Sequence, residues 1–209
     1  MRFEHIDRYP PGMKKYADRY LLSVVYDEAE LHSFGIQDDD IDFDELYFGK
    51  DELSKLQLLW TDTLYLNDFY DQNIHFFQAP YWRHLSKTDF VCSVKYCSYA
   101  IFQQLRRALY DDSLEELFKP LSEDDEKKAD YERIKVKSKF GNIAGRFAFR
   151  IYAIKIEDGV YVITGGTIKI VKEMHEAPNT HIELKKINKV YSVLGGIDDK
   201  ESFVEFIFS

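Results

Sequence analysis

The sequence predicts an α+β fold, and three observations predict it. Apolar residues recur at three- and four-residue spacing between Asp51 and Leu109, apolar and polar residues alternate between Ile134 and Tyr152, and a last helical stripe ends at Leu194. Helical and strand patterns are thus grouped along the chain, the order of an α+β fold. With 209 residues, 45% hydrophobic and 16% aromatic, including 16 Phe and 15 Tyr, the chain has the composition of a folded protein and suits a single domain over 1–209.

In chain order, residues 21–26 (LLSVVY) follow the breaker Pro10-Pro11-Gly12 and read as a strand. Asp38, Asp39, Asp40, Asp42, Asp44 and Glu45 crowd the stretch between Gly35 and Gly49, the pattern of an acidic surface loop. Leu53, Leu56, Leu59, Trp60, Leu64 and Tyr65 then mark one helix continuing toward Phe69. A second runs from about Thr88 through Phe90, Val94, Cys97, Ile101, Leu105 and Leu109, and a helical turn over 113–118 is closed by Lys119-Pro120. Charged residues 123–130 connect this half to a sheet.

Strand character returns where Ile134, Val136 and Ser138 alternate with lysines. After Gly141-Asn142 comes the longest alternation: Phe147, Phe149, Ile151 and Ala153 on one face, Arg146, Ala148, Arg150 and Tyr152 on the other. One face is expected to pack and the other to present cations. Glu157-Asp158-Gly159 signals a hairpin, residues 160–164 pair back, and Gly165-Gly166 predicts a bulge or bend before the strand continues over 167–171. Thr180 and Glu183 have capping-box spacing after Pro178; Leu184, Ile187, Val190, Tyr191 and Leu194 form the stripe, and Gly195 supplies the stop. Residues 202–208 read as a last short strand. The expected architecture is an N-terminal strand, two packed helices, then an antiparallel β-meander with a C-terminal helix.

Charge divides the chain. Residues 1–130 hold 15 Lys+Arg against 27 Asp+Glu, whereas 133–189 hold 12 against 5, inside a protein of net charge −9. That balance argues against wholesale coating of nucleic acid and leaves room for a local basic footprint. No apolar leader follows Met1 and no run of 18 apolar residues occurs, so a soluble cytoplasmic protein without a membrane span is expected. Cys92 and Cys97, five apart on a helix, do not face the same way and are expected to be buried free thiols.

Phosphate-loop, serine-hydrolase, zinc-protease and C-x-x-C signatures are missing, and no cofactor or metal is expected. What remains is the set Arg146, Arg150, Tyr152, Lys169 and Lys172, with His175 and His181 close in sequence. Cleaving an RNA phosphodiester takes a base for the 2′-hydroxyl, cations for the growing charge, and an acid for the departing 5′-oxygen. Arginine and lysine suit the second role; histidine or a perturbed tyrosine suits the others. The competing reading is an ordinary solvated face of an amphipathic sheet.

The stretch RFAFRIYAIKIEDGVYVITGGTIKIVKEM, followed by PNTHIELKKI, resembles the RelE superfamily of bacterial toxins, in particular its HigB and phage-derived branch. The likeness rests on Gly145-Arg146-Phe147 with Phe149-Arg150-Ile151, the run from Val160 to Gly165, Ile168-Lys169 with Lys172, and Pro178 with Glu183. It covers roughly residues 130–195. The resemblance implies a metal-independent endoribonuclease acting on mRNA on the ribosome and restrained by a helix-turn-helix antitoxin. Carried over by position, Arg150 and Lys169 would face the scissile phosphate, with Tyr152 or His181 as acid or base and Arg146, Lys172 and Lys185 as phosphate contacts. Such toxins are typically shorter and basic, whereas this chain has a long acidic N-terminal portion. The alternatives are a noncatalytic nucleic-acid- or protein-binding module and an oligomeric interaction protein built on the aromatic-rich helices.

Overall fold

A computed structural model of the chain describes residues 1–6, 20–36, 49–78, 82, 85–111, 113–120, 148–157, 159–170, 177–194 and 203–207. Along these come β1 (Arg2–His5), β2 (Tyr20–Val25), α1 (Glu28–Phe34), α2 (Glu52–Leu59), α3 (Thr63–Gln72), α4 (Ile74–Phe77), α5 (Lys87–Asp111), α6 (Leu114–Leu117), β3 (Phe118–Pro120), β4 (Ala148–Glu157), β5 (Val160–Lys169), α7 (Pro178–Val193) and β6 (Phe203–Ile207). The class is α+β, as expected. The lysine-rich strand around 134–138, the acidic stretches 38–45 and 123–130, and Arg146, Lys172 and His175 lie outside the described residues.

The helices begin and end where local chemistry directs. Asp27 accepts from the Glu30 amide while the Glu30 carboxylate accepts from the Asp27 amide, a reciprocal cap that starts α1, a helix the sequence pattern missed. The single helix expected from Asp51 toward Phe69 is two. Thr61 donates its hydroxyl back to the Gln57 and Leu58 carbonyls, and Asp62 recaps the chain by accepting from the Tyr65 amide at 2.9 Å. Both pieces bury leucines and aromatics against the same core, Leu53, Leu56 and Leu59 before the break and Leu66, Phe69 and Tyr70 after it, but Leu64 of the expected stripe is 75% exposed. Cys97 is buried, and burial pushes its thiol up to about 11. Cys92 is exposed, contrary to expectation, because it falls on the opposite side of α5.

Six strands form one sheet in the order β1-β2-β5-β4-β6-β3. Every neighbouring pair is antiparallel except β2 and β5, which run parallel with Ser23 opposite Ile163. The expected simple meander is therefore corrected. The hairpin of β4 and β5 is its true part, but β6 returns beside β4 and the N-terminal β2 inserts on the far side of β5. Long-range pairing of this kind leaves no local trace in a sequence.

Both faces of the central strands are covered. Phe149, Ile151, Ala153, Tyr161, Ile163 and Ile168 pack with Leu53, Leu56, Trp60, Phe69, Phe90 and Ile101 of α2, α3, α5 and the turn after α2. The Trp60 indole meets Phe149 edge-on with centroids 5.0 Å apart. On the other face Val24, Tyr26, Ile154 and Val162 pack with Leu31, Phe34 and Val190 of α1 and α7. From Val160 to Ile168 no residue of β5 is even half exposed. The alternation in β4 correctly separated its two faces, but the face carrying Arg150 and Tyr152 lies inside the molecule.

Candidate functional site

The site begins where the sheet divides. The ladder between β2 and β5 ends at Ser23 and Ile163; β2 continues to Val25 paired only with β1, while β5 continues to Lys169 paired with β4. At the division β5 carries a bulge: Tyr152 pairs with Gly165 and Ala153 with Ile163, leaving Thr164 as the extra residue. The Tyr26 hydroxyl donates to the Thr164 carbonyl at 2.9 Å, and the Thr164 hydroxyl donates to the Tyr152 carbonyl at 3.3 Å. The bulge anticipated from Gly165-Gly166 is thus present one residue earlier. The two glycines serve close approach instead. A Cβ on Gly165 would fall on the Glu183 carboxylate of α7, and one on Gly166 would fall 2.6 Å from Leu56 Cδ1 of α2 and 2.5 Å from the Arg150 carbonyl oxygen.

Charged side chains from both helix layers meet at this division. Lys186 Nζ of α7 donates to Glu183 Oε1 at 2.9 Å and to Glu52 Oε2 of α2 at 2.8 Å, and Lys55 Nζ donates to Glu52 Oε1 at 3.0 Å. All four residues are buried, none more than 7% exposed. Two carboxylates and two ammonium groups alternate in a short chain, which offsets the cost of desolvating each. The N-terminus of α2 is fixed from below, since the Leu53 amide donates to the Ser23 hydroxyl at 3.0 Å. Lys186 also stands over the Tyr26 ring, 5.9 Å from its centroid.

The electrostatics are unequal. Burial alone would push Glu52 up, but Lys186 and Lys55 together outweigh it and hold the carboxyl below its ordinary value. Burial dominates at Glu183, and Glu52 adds repulsion, so its carboxyl is pushed up to about 7 despite Lys186. Lys186 is held above its ordinary value because Glu183 and Glu52 overcome its desolvation. Burial first, then Glu183, raises the Tyr65 phenol of α3 to about 12, and burial holds the Tyr26 phenol well above its ordinary value. The Gly166 backbone amide also donates toward the Glu183 carboxylate and offsets part of the rise at Glu183.

From this buried end the site follows β5 outward beneath α7. Thr167, opposite Arg150 in the β4 ladder, accepts at its hydroxyl from the Asn179 amide nitrogen at 2.7 Å, which also donates to the Ile168 carbonyl. Lys169 ends the strand, half-buried; His181 is exposed on the outer side of α7, and Lys185 is half-buried with Nζ donating to the Phe34 carbonyl at the end of α1.

The sequence-predicted residues thus divide by exposure. Arg150 is 1% exposed, with Nη1 donating to the Phe149 carbonyl, and Tyr152 is 0% exposed. Neither presents to solvent, which corrects the expectation of an outward cationic face on β4: α7 covers it. Lys169 and His181 remain at the rim. The capping box expected from Thr180 and Glu183 is also absent. Ala177 is the N-cap with Pro178 following it, the Thr180 hydroxyl donates to the Ala177 carbonyl at 2.9 Å, and Glu183 turns inward to Lys186.

Glu52, Lys55 and Lys186 were not singled out from the sequence, and Glu183 was read only as a capping-box partner and as part of the RelE-like motif. One signal was available: Glu183 and Lys186 interrupt the inner side of a helix whose neighbours Ile187 and Val190 are buried. Among the described residues no group of His, Cys, Asp and Glu could hold a metal ion, and no helix is long and apolar enough to cross a membrane. No family model, curated protein or solved structure matches the chain.

Proposed function

We propose that this chain acts on RNA as a toxin component of the RelE/HigB type, using the cationic rim where β5 runs out beside α7. The observation that carries the reading is the 12 Lys+Arg against 5 Asp+Glu of residues 133–189, with Lys169 and His181 at the accessible end of the strip. In this reading Lys169 and Lys185 contact phosphates, Arg146 and Lys172 are further phosphate contacts, and His181 serves as acid or base. The substrate is mRNA on the ribosome, and a helix-turn-helix antitoxin is the restraining partner.

The burial of Arg150 and Tyr152 favours a second reading, RNA binding without cleavage. One assay separates the two. Labelled single-stranded RNA should bind with an affinity that falls steeply with salt, and Lys169→Ala should lower both the affinity and its salt dependence. If the chain also cleaves, programmed ribosomes will yield cut mRNA with 2′,3′-cyclic phosphate ends in the presence of EDTA, and expression will arrest growth until the antitoxin is supplied. Undisturbed growth at high expression, together with RNA binding that ignores salt, sinks both readings.

A further inference from the structure

We propose that α5 docks a second copy of this chain, antiparallel to itself, about a two-fold axis beside Gln103. The inner side of α5 carries Phe90, Val94, Cys97, Ile101, Phe102 and Leu105 into the core. Its outer side is unusual for a surface helix. Tyr96 and Tyr99 are 67% and 69% exposed, Tyr110 is 43% exposed, and Arg106 and Arg107 are exposed as well. At about 100° per residue, positions 96, 99, 103, 106 and 110 fall within roughly 80° of one another, a straight stripe about 21 Å long. Tyrosine and arginine are, with tryptophan, the side chains enriched among the residues that anchor protein contacts.

The order of residues along the stripe selects the occupant. Two copies related by a two-fold axis perpendicular to the helices bring residues equally distant from Gln103 to the same height. Tyr96 and Tyr110, seven residues to either side, then stand against each other's counterparts. Tyr99, four before, meets Arg106, three after, on the same flank of the contact, so each guanidinium of one copy covers a tyrosine ring of the other. A parallel arrangement would instead set Arg106 against Arg106, which like-charge repulsion opposes. The stripe is thus complementary to its own reversed copy, the condition for an isologous dimer. One helix face is a small interface, so the dissociation constant belongs in the micromolar range.

Sedimentation velocity over a concentration series tests this, together with oxidative cross-linking of Q103C in a C92S background and E116C as a control away from the axis. The expected result is a concentration-dependent dimer, rapid disulfide formation by Q103C and none by E116C. Tyr99→Ala and Arg106→Ala should each weaken the dimer roughly tenfold while thermal melts of the monomer stay unchanged. A chain that remains monomeric throughout overturns the proposal. So does a dimer that persists in both variants without Q103C cross-linking, which assigns it to another surface, or one that disappears on ribonuclease treatment, which makes RNA the link. None of these outcomes depends on whether the chain cleaves RNA.

Discussion

The two sides of α7 use the same residue types to opposite ends. On its inner side Glu183 and Lys186 are buried and bonded across the sheet to Glu52 of α2, so that one lysine ties together two helix layers that otherwise have the sheet between them. On its outer side His181 is exposed and Lys189, only partly covered, lies 4.0 Å from Glu30 of α1. Residues two to six positions apart in one helix therefore differ in energetic weight by an order of magnitude. A buried charge left alone costs several kcal/mol, whereas an exposed pair contributes a fraction of one. Composition does not set the weight of a charge; coverage does.

The largest expected effect lies on the inner side. Lys186→Ala leaves the Glu183 carboxylate buried without its lysine partner and Glu52 with Lys55 alone, and should lower unfolding stability in urea by about 3–5 kcal/mol. Replacing Glu183 by Leu together with Lys186 by Met keeps the Glu52–Lys55 pair intact, and should cost less than Lys186→Ala alone. If the double variant is the less stable of the two, the ionic chain is more than a satisfied set of charges.

Next comes Gly165→Ala, whose methyl group would occupy the space of the Glu183 carboxylate. Displacing that carboxylate should cost about 1–3 kcal/mol, read from the shift of the denaturation midpoint, and the same substitution in a Glu183→Ala background should be milder.

A smaller effect is the dependence on pH. A carboxyl whose pKa rises on folding keeps a proton in the native state that the unfolded chain has already released. Glu183, raised from 4.5 to about 7, therefore makes stability fall as pH climbs between those values. The slope is at most about 1.4 kcal/mol per pH unit. Glu52, held below its ordinary value, acts in the opposite direction and only in more acid solution, where its contribution is lost as it protonates. Glu183→Gln should flatten the slope between pH 5 and 7, and an unchanged slope would assign it to other groups. The smallest stability effect belongs to the outer side: His181→Ala should shift stability by no more than about 0.5 kcal/mol in the same urea titration, so any loss of RNA binding it causes is a loss of contact and not of fold.

How much of this was legible can be argued from particular residues. Asp51, Gly165-Gly166 and Pro178 each acted locally, and a cap, a bulge and a helix start stand at or next to them, because such signals depend only on neighbouring backbone groups. Thr180 and Glu183 had the spacing of a local signal as well, yet tertiary contacts overrode it. Lys186 offers Glu183 a buried partner, and Pro178 already occupies the first position of the helix, where no amide needs a cap. Arg150 shows the same limit in a strand. Alternation assigned it to the face opposite Phe149 and Ile151, which is its place, but cannot say whether that face meets water or a helix.

From sequence alone came the α+β class, the helical core residues, the β4–β5 hairpin with its bulge, and the segregation of charge, since all depend on periodicity, turn chemistry and composition. Tertiary structure decided the parallel insertion of β2 beside β5, the coverage of both faces of the sheet, and the meeting of Glu52 with Lys186 across 134 residues. Those are set by which distant surfaces exclude water together, and that choice is made by the whole chain at once.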